Sequence, residues 1–212
     1  MSQTVAQKEY ELGDAYMNGK GVERNKELGV EHVRRAADKG HADAQYKLGF
    51  AYDWGYGVEK DLEEAAKWYH KAAEQGHADA HYALGLAYYN GYGVEQDYMK
   101  AAEWFRKAAD KGHGESEYDL ELAYQEAAKQ GNVDAQYELG VMHSNGNFVE
   151  KDLEEAVKWF RKAADKGHKK AEEELDSIME AKTMEISKLT QLIDDINDTI
   201  QVIRKRKRDD VE

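Results

Sequence analysis

The pattern Leu-Gly-x-x-Tyr stands at Leu12-Gly13-Tyr16, at Leu48-Gly49-Tyr52 and at Leu84-Gly85-Tyr88, each 36 residues beyond the last. A fixed period of this length confines the fold to copies of one small unit laid side by side, since each copy has apolar flanks that only a neighbour can cover. Such an array presents surface rather than enclosing one central pocket. Its expected work is binding another macromolecule.

Residues 41–76 show what one unit is. Ala44, Leu48, Ala51 and Tyr52 fall at helical spacing and give a first helix with one apolar stripe. Gly49 interrupts that stripe at a cost of about 1 kcal/mol relative to alanine, which is consistent with a second helix approaching its backbone closely. Gly55-Tyr56-Gly57 ends the helix, with Val58 plugging the turn. Asp61 with Glu64 resembles a capping box, as does Asp152 with Glu155. Ala65, Trp68, Tyr69, Ala72 and Ala73 then form the stripe of a second helix. Each unit is thus predicted to be an antiparallel helical hairpin, A then B. The chain has no proline, so glycine makes the turns.

The run L-G-x-x-Y-x-x-G-x-G-V-x-x-D followed by K-A-x-x-W-[YF]-x-K-A-A-x-x-G-H resembles the Sel1-like repeat. The resemblance implies an all-α fold, an α-α superhelical solenoid of tetratricopeptide-like hairpins, here with a long C-terminal helix. It also implies adaptor or scaffold work without catalysis. The units are expected at 5–40, 41–76, 77–112 and 132–167, with a truncated unit at 113–131 and a half-repeat cap at 168–179. Together they make an array over 1–179, followed by a coiled-coil-type helix over 180–212. Some cysteine-rich relatives are described as β-lactamase-like, so hydrolase activity is the alternative the resemblance carries, and a self-assembling spacer is a third reading. This chain has no cysteine.

Two departures from the period carry predictions. The unit 113–131 has 19 residues where the others have 36, and Glu121 replaces the packing glycine. Glu115 to Gln130 should therefore be one helix. Losing one reversal should invert the direction of everything downstream and break the stack near residue 131. In the last full unit Phe148 replaces the second turn glycine, which reads either as an altered turn or as drift in a tolerant loop.

Beyond the cap, Ile186, Leu189, Ile193, Ile196, Ile200 and Ile203 alternate 3 and 4 residues apart, a heptad seam. Self-association through residues 186–203, where isoleucine at both seam positions leans toward more than two strands, and folding back onto the array both satisfy this pattern. The basic run Arg204 to Arg208 fits a helix C-terminus, a nuclear import signal or an anionic-surface anchor.

The net charge of −13 would be more negative by five without Arg204 to Arg208, so nucleic-acid binding by the array is not expected. No stretch approaches the roughly 20 apolar residues of a membrane span. With no cysteine, disulfides and thiolate metal sites cannot form, and a cytoplasmic setting is expected. No G-x-S-x-G, P-loop, H-E-x-x-H or EF-hand motif occurs, none of the five serines begins an S-x-x-K, and no cofactor is expected. His41, His77, His113 and His168 recur at unit boundaries and are assigned to capping rather than to metal.

A partner would meet the A helices on the concave face. Tyr10, Tyr46, Tyr82 and Tyr137 hold one offset there, with Phe50 and Leu86 four places after Tyr46 and Tyr82, and Asp53, Trp54, Tyr89 and Asn90 nearer the turns. These residues are the candidate protein-binding surface. Packing of the tyrosine column between adjacent helices is the competing reading. Acidic neighbours, among them Asp43, Asp79 and Asp134, favour a partner with a basic segment.

Overall fold

A computed structural model describes residues 4–209, with side chains through Arg204. Among these residues it contains α1 (Val5–Asn18), α2 (Lys26–Asp38), α3 (Ala42–Trp54), α4 (Leu62–Glu74), α5 (Ala78–Asn90), α6 (Tyr98–Ala109), α7 (Glu115–Lys129), α8 (Val133–Asn145), α9 (Leu153–Ala164) and α10 (Lys169–Asp209), and no strand. Each helix packs on the next along the chain, which makes an α-α solenoid. Among the described residues no helix is long and apolar enough to cross a membrane.

Short polar side chains set the helix starts. Asn25, Asp61, Asp97 and Asp152 accept backbone N–H groups at the first turns of α2, α4, α6 and α9. Only half of the expected capping box forms. Glu64 and Glu155 accept from Lys67 and Lys158 at 3.1 and 2.8 Å rather than reaching back to the cap. His41, His77 and His168 take the capping role through Nδ1, which accepts from Ala44, Ala80 and Ala171 N–H at 3.2–3.3 Å. Asn132 does the same work for α8 at 2.8 Å.

The interior consists of alanine and single large rings. Ala44, Leu48, Ala72, Ala80, Leu84, Ala101 and Phe105 are almost wholly buried. The A-helix glycines are there for close approach. A Cβ on Gly85 would lie 2.4 Å from the Phe105 ring, on Gly140 2.4 Å from Phe160, and on Gly49 2.7 Å from Tyr69.

The shortened unit is one helix, α7, that performs two jobs. At its start it packs as an A helix: His113 stacks on Tyr82 as His77 does on Tyr46, and Arg106 donates to Tyr124 as Arg34 does to Tyr52. At its end it packs as a B helix: Gln136 donates to the Ala128 carbonyl as Gln45 does to Ala37. The direction of the following helices is thereby reversed. In the regular part glycine turns lie beside glycine turns, with Gly93 against the Leu62 carbonyl. Across α7 they exchange places, so that Gln96–Met99 share a cleft with Gln130 and Asn132, and Phe148–Asp152 share one with Gly114 and Glu117.

Two expectations are corrected here. The packing does not break near residue 131, because one buried cluster runs from Ala101 through Leu120 and Ala127 to Met142, and Arg106 bridges α7 and α8 by binding Tyr124 and Glu138 at 2.8 and 2.7 Å. Nor is the Asn145–Phe148 turn altered. Gly146 keeps its left-handed conformation, and Asp152 N–H bonds the His143 carbonyl at 2.9 Å as Asp61 bonds Tyr52 at 3.0 Å.

The long helix α10 caps the array through Ala171, Leu175 and Ile178 against α8 and α9. Every residue from Met179 to Arg204 is then exposed. The fold-back arrangement is therefore not adopted: the side chains of the seam from Ile186 to Ile203 are exposed, and the packing of α10 on the last hairpin ends at Ile178. The side chains of Lys205 to Arg208, which carry most of the basic run, lie outside the described residues.

Candidate peptide-binding groove

Helices α3, α4 and α5 leave an open cleft of about 530 Å³ on the side of the array where consecutive A helices face each other. Tyr46, Phe50, Asp53 and Trp54 line it from α3. Tyr82, Leu86, Asn90 and Asp79 line it from α5, with Leu62, Ala65, Ala66 and Tyr69 of α4 as floor. The volume is within the range of sites that hold small ligands or a few peptide side chains.

The helical period explains the convergence. Residues 46, 50 and 54 are four apart and so share a face of α3, and 82, 86 and 90 are their counterparts one unit later. Small residues at Ala65, Ala66 and Ala83 keep the space between the walls open. Trp54 is 70% exposed and Phe50 40% exposed, with their ring centroids 6.0 Å apart. An indole this bare offers a broad apolar face with one polar edge.

The polar groups are acidic in the main. Tyr69 donates its hydroxyl to Asp53 Oδ2 at 3.3 Å. Burial, then Asp53, pushes the Tyr69 hydroxyl far above its ordinary range, and burial with Asp79 and Asp53 raises Tyr46. Both rings stay protonated donors at any physiological pH, and Asp53 is held in place with one carboxylate face toward the cleft. Lys60 supplies a cation at the rim.

The candidate residues divide by position. Seven of them, Tyr46, Phe50, Asp53, Trp54, Tyr82, Leu86 and Asn90, line this one groove. The tyrosine column is mainly structural: Tyr10, Tyr46, Tyr82 and Tyr137 each stack on the boundary histidine of the next unit, with centroids 4.3–4.7 Å apart. Tyr46 and Tyr82 expose one edge to the groove, whereas Tyr10 lies beside a separate small cleft and Tyr137 packs near Phe160. Tyr89 is elsewhere too. It meets Tyr98 edge-on at 5.1 Å and packs toward α6 and α7. The sequence reading omitted Tyr92, which is 53% exposed at the groove mouth. Its counterpart Tyr56 points inward, donating to the Met17 carbonyl at 3.0 Å and accepting from Arg24 at 2.6 Å. Position 60 holds lysine where position 24 holds arginine, and that exchange was the signal.

A Ser-His-Asp line does exist: Ser116 Oγ is 3.0 Å from His113 Nδ1, and His113 Nε2 is 4.0 Å from Asp79. Ser116 is fully buried, so its oxygen cannot reach an ester or amide, and it occupies the place where Ala80 N–H meets His77.

The profile of the Sel1 repeat family matches residues 9–41, 42–77, 78–113 and 133–168. A protective antigen of uropathogenic Escherichia coli, described as displaying an SLR fold, is similar at 31% identity and a TM-score of 0.54, over 82% of this chain and 41% of that one. The chain thus spans less than half the length of that antigen. A Sel1 repeat protein from Oxalobacter formigenes is similar at 31% identity and a TM-score of 0.54, over 82% of this chain and 76% of that one. No curated protein sequence matches. With four matched segments covering most of its length, the chain belongs to the Sel1 repeat family.

Proposed function

We propose that this chain is a non-enzymatic adaptor that holds an extended, basic peptide segment of a partner protein in the α3–α5 groove. Sel1 repeat proteins generally mediate protein–protein interaction. The observation that carries the reading here is the convergence of a bare Trp54, Phe50 and Leu86 with Asp53 and Asp79 on one open cleft. A large apolar side chain of the peptide seats between Trp54 and Leu86, and a flanking lysine or arginine faces the carboxylates. The net charge of −13 steers such a segment in.

The test is selection from a displayed peptide library, followed by calorimetry on the recovered peptides. Selected peptides should pair one large apolar residue with a nearby cation. Trp54→Ala should weaken binding by at least about tenfold while leaving the thermal midpoint of the protein nearly unchanged. Affinity should also fall as salt rises. Undiminished binding by Trp54→Ala, or selection of acidic peptides, would refute the reading.

A further inference from the structure

Beyond the groove, and independently of it, the arm formed by α10 carries an uncovered apolar face. From Met179 to Arg204 every residue is exposed, and Ile186, Leu189, Ile193, Ile196, Ile200 and Ile203 remain 39–64% exposed along one stripe, with Leu192 beside them at 54%. A single helix with such a stripe is marginal in water, since most helical stability comes from covering the apolar face. We infer that a second copy of this chain covers it, as an antiparallel two-stranded coiled coil, an arrangement outside the parallel-strand rule by which isoleucine at both seam positions favours three or four strands.

Three observations select that occupant. The spacing of the stripe reads 3, 4, 3, 4, 3 in both directions, so a reversed copy places Ile186 against Ile203, Leu189 against Ile200 and Ile193 against Ile196. Covering the stripe on two strands removes on the order of 1,200 Å² from water, the lower bound for a specific interface. Charge fixes the orientation. The root of the arm, Glu172 to Glu185, carries six carboxylates and one lysine, whereas Arg204 begins a run of five cations. In the reversed register Arg204 falls opposite Glu185, whereas aligned strands bring two acidic roots together at one end and two cationic runs together at the other. The flanks Thr190, Asn197 and Thr199 are uncharged, so they oppose neither orientation.

The experiment uses the full chain. Light scattering from about 1 to 100 µM should give twice the chain mass at the upper end, and the double variant Ile193→Glu with Ile196→Glu should stay monomeric while the array melts as before. The chain has no cysteine, so Lys182→Cys gives a single spin-label site. Labels should lie about 40 Å apart across reversed strands at 1.5 Å per residue. A monomer at all concentrations, a trimer or tetramer, a dimer that survives both glutamates, or label distances near 15 Å, as aligned strands would give, would each overturn the inference.

Discussion

At the scale of single residues, the distance between paired helices is set by what glycine lacks. Gly85 lies against the flat of Phe105, and a methyl group there would come within 2.4 Å of two ring carbons. Gly85→Ala gains about 1 kcal/mol of helix propensity and forces α5 and α6 apart, so the net effect should be a loss of about 1–3 kcal/mol in urea denaturation. The requirement for close approach was legible in the recurring Leu-Gly pair. Which aromatic residues face outward was only partly legible. Offset within the repeat placed Trp54 and Phe50 correctly, because their face is fixed by helical period. It misplaced Tyr89, whose neighbour Tyr98 has Leu62 and Lys26 as counterparts in other units, so the ring pair exists in one unit alone.

At the scale of elements, the shortened unit and Phe148 are one adaptation. In the regular part the second turn glycine abuts the start of the preceding B helix: a Cβ on Gly93 would be 2.0 Å from the Leu62 carbonyl, and on Gly57 2.6 Å from that of Lys26. The 19-residue unit has no such B-helix start, so Phe148 takes the left-handed conformation at φ 64° and turns its ring into the vacated space beside α7. Phe148→Gly should therefore destabilise the array by about 1–2 kcal/mol, because lost burial outweighs relief of the strained φ. Gly93→Phe should prevent assembly of the second and third units. Circular dichroism with denaturant separates the two outcomes. The deletion could be counted in the sequence. The ring that fills its gap could not be recognised there, since its reason is a neighbour missing in space and not in the repeat itself.

At the scale of the whole molecule, ion pairs tie the first unit to the second. Asp14 is held by Lys47 and Lys20, and its carboxyl is driven below the ordinary 3.8 first by the Lys47 bond. Within the first unit, Glu9 is lowered in the same direction by His32, which bonds it at 2.6 Å. A lowered carboxylate contributes stability that is complete above its unfolded value and disappears as pH falls through the folded one. Asp14→Asn should therefore lower the melting temperature at pH 7, and the gap to the parent should close as pH falls below the ordinary 3.8 and through the lowered folded value. A gap that persists in acid would assign the loss to packing.

The reversal at α7 has a directional outcome. Lys166 bonds the Gly131 carbonyl at 3.1 Å, which seats the start of α10 at the edge carrying the 91–97 turn, so the arm crosses the array and departs from the far side. Had the fourth hairpin been whole, the arm would point the opposite way. The absence of nearly half a unit in mid-chain thus decides the bearing of a rod about 60 Å long, and with it which flank of the molecule a joined copy can shade and which stays open to a guest.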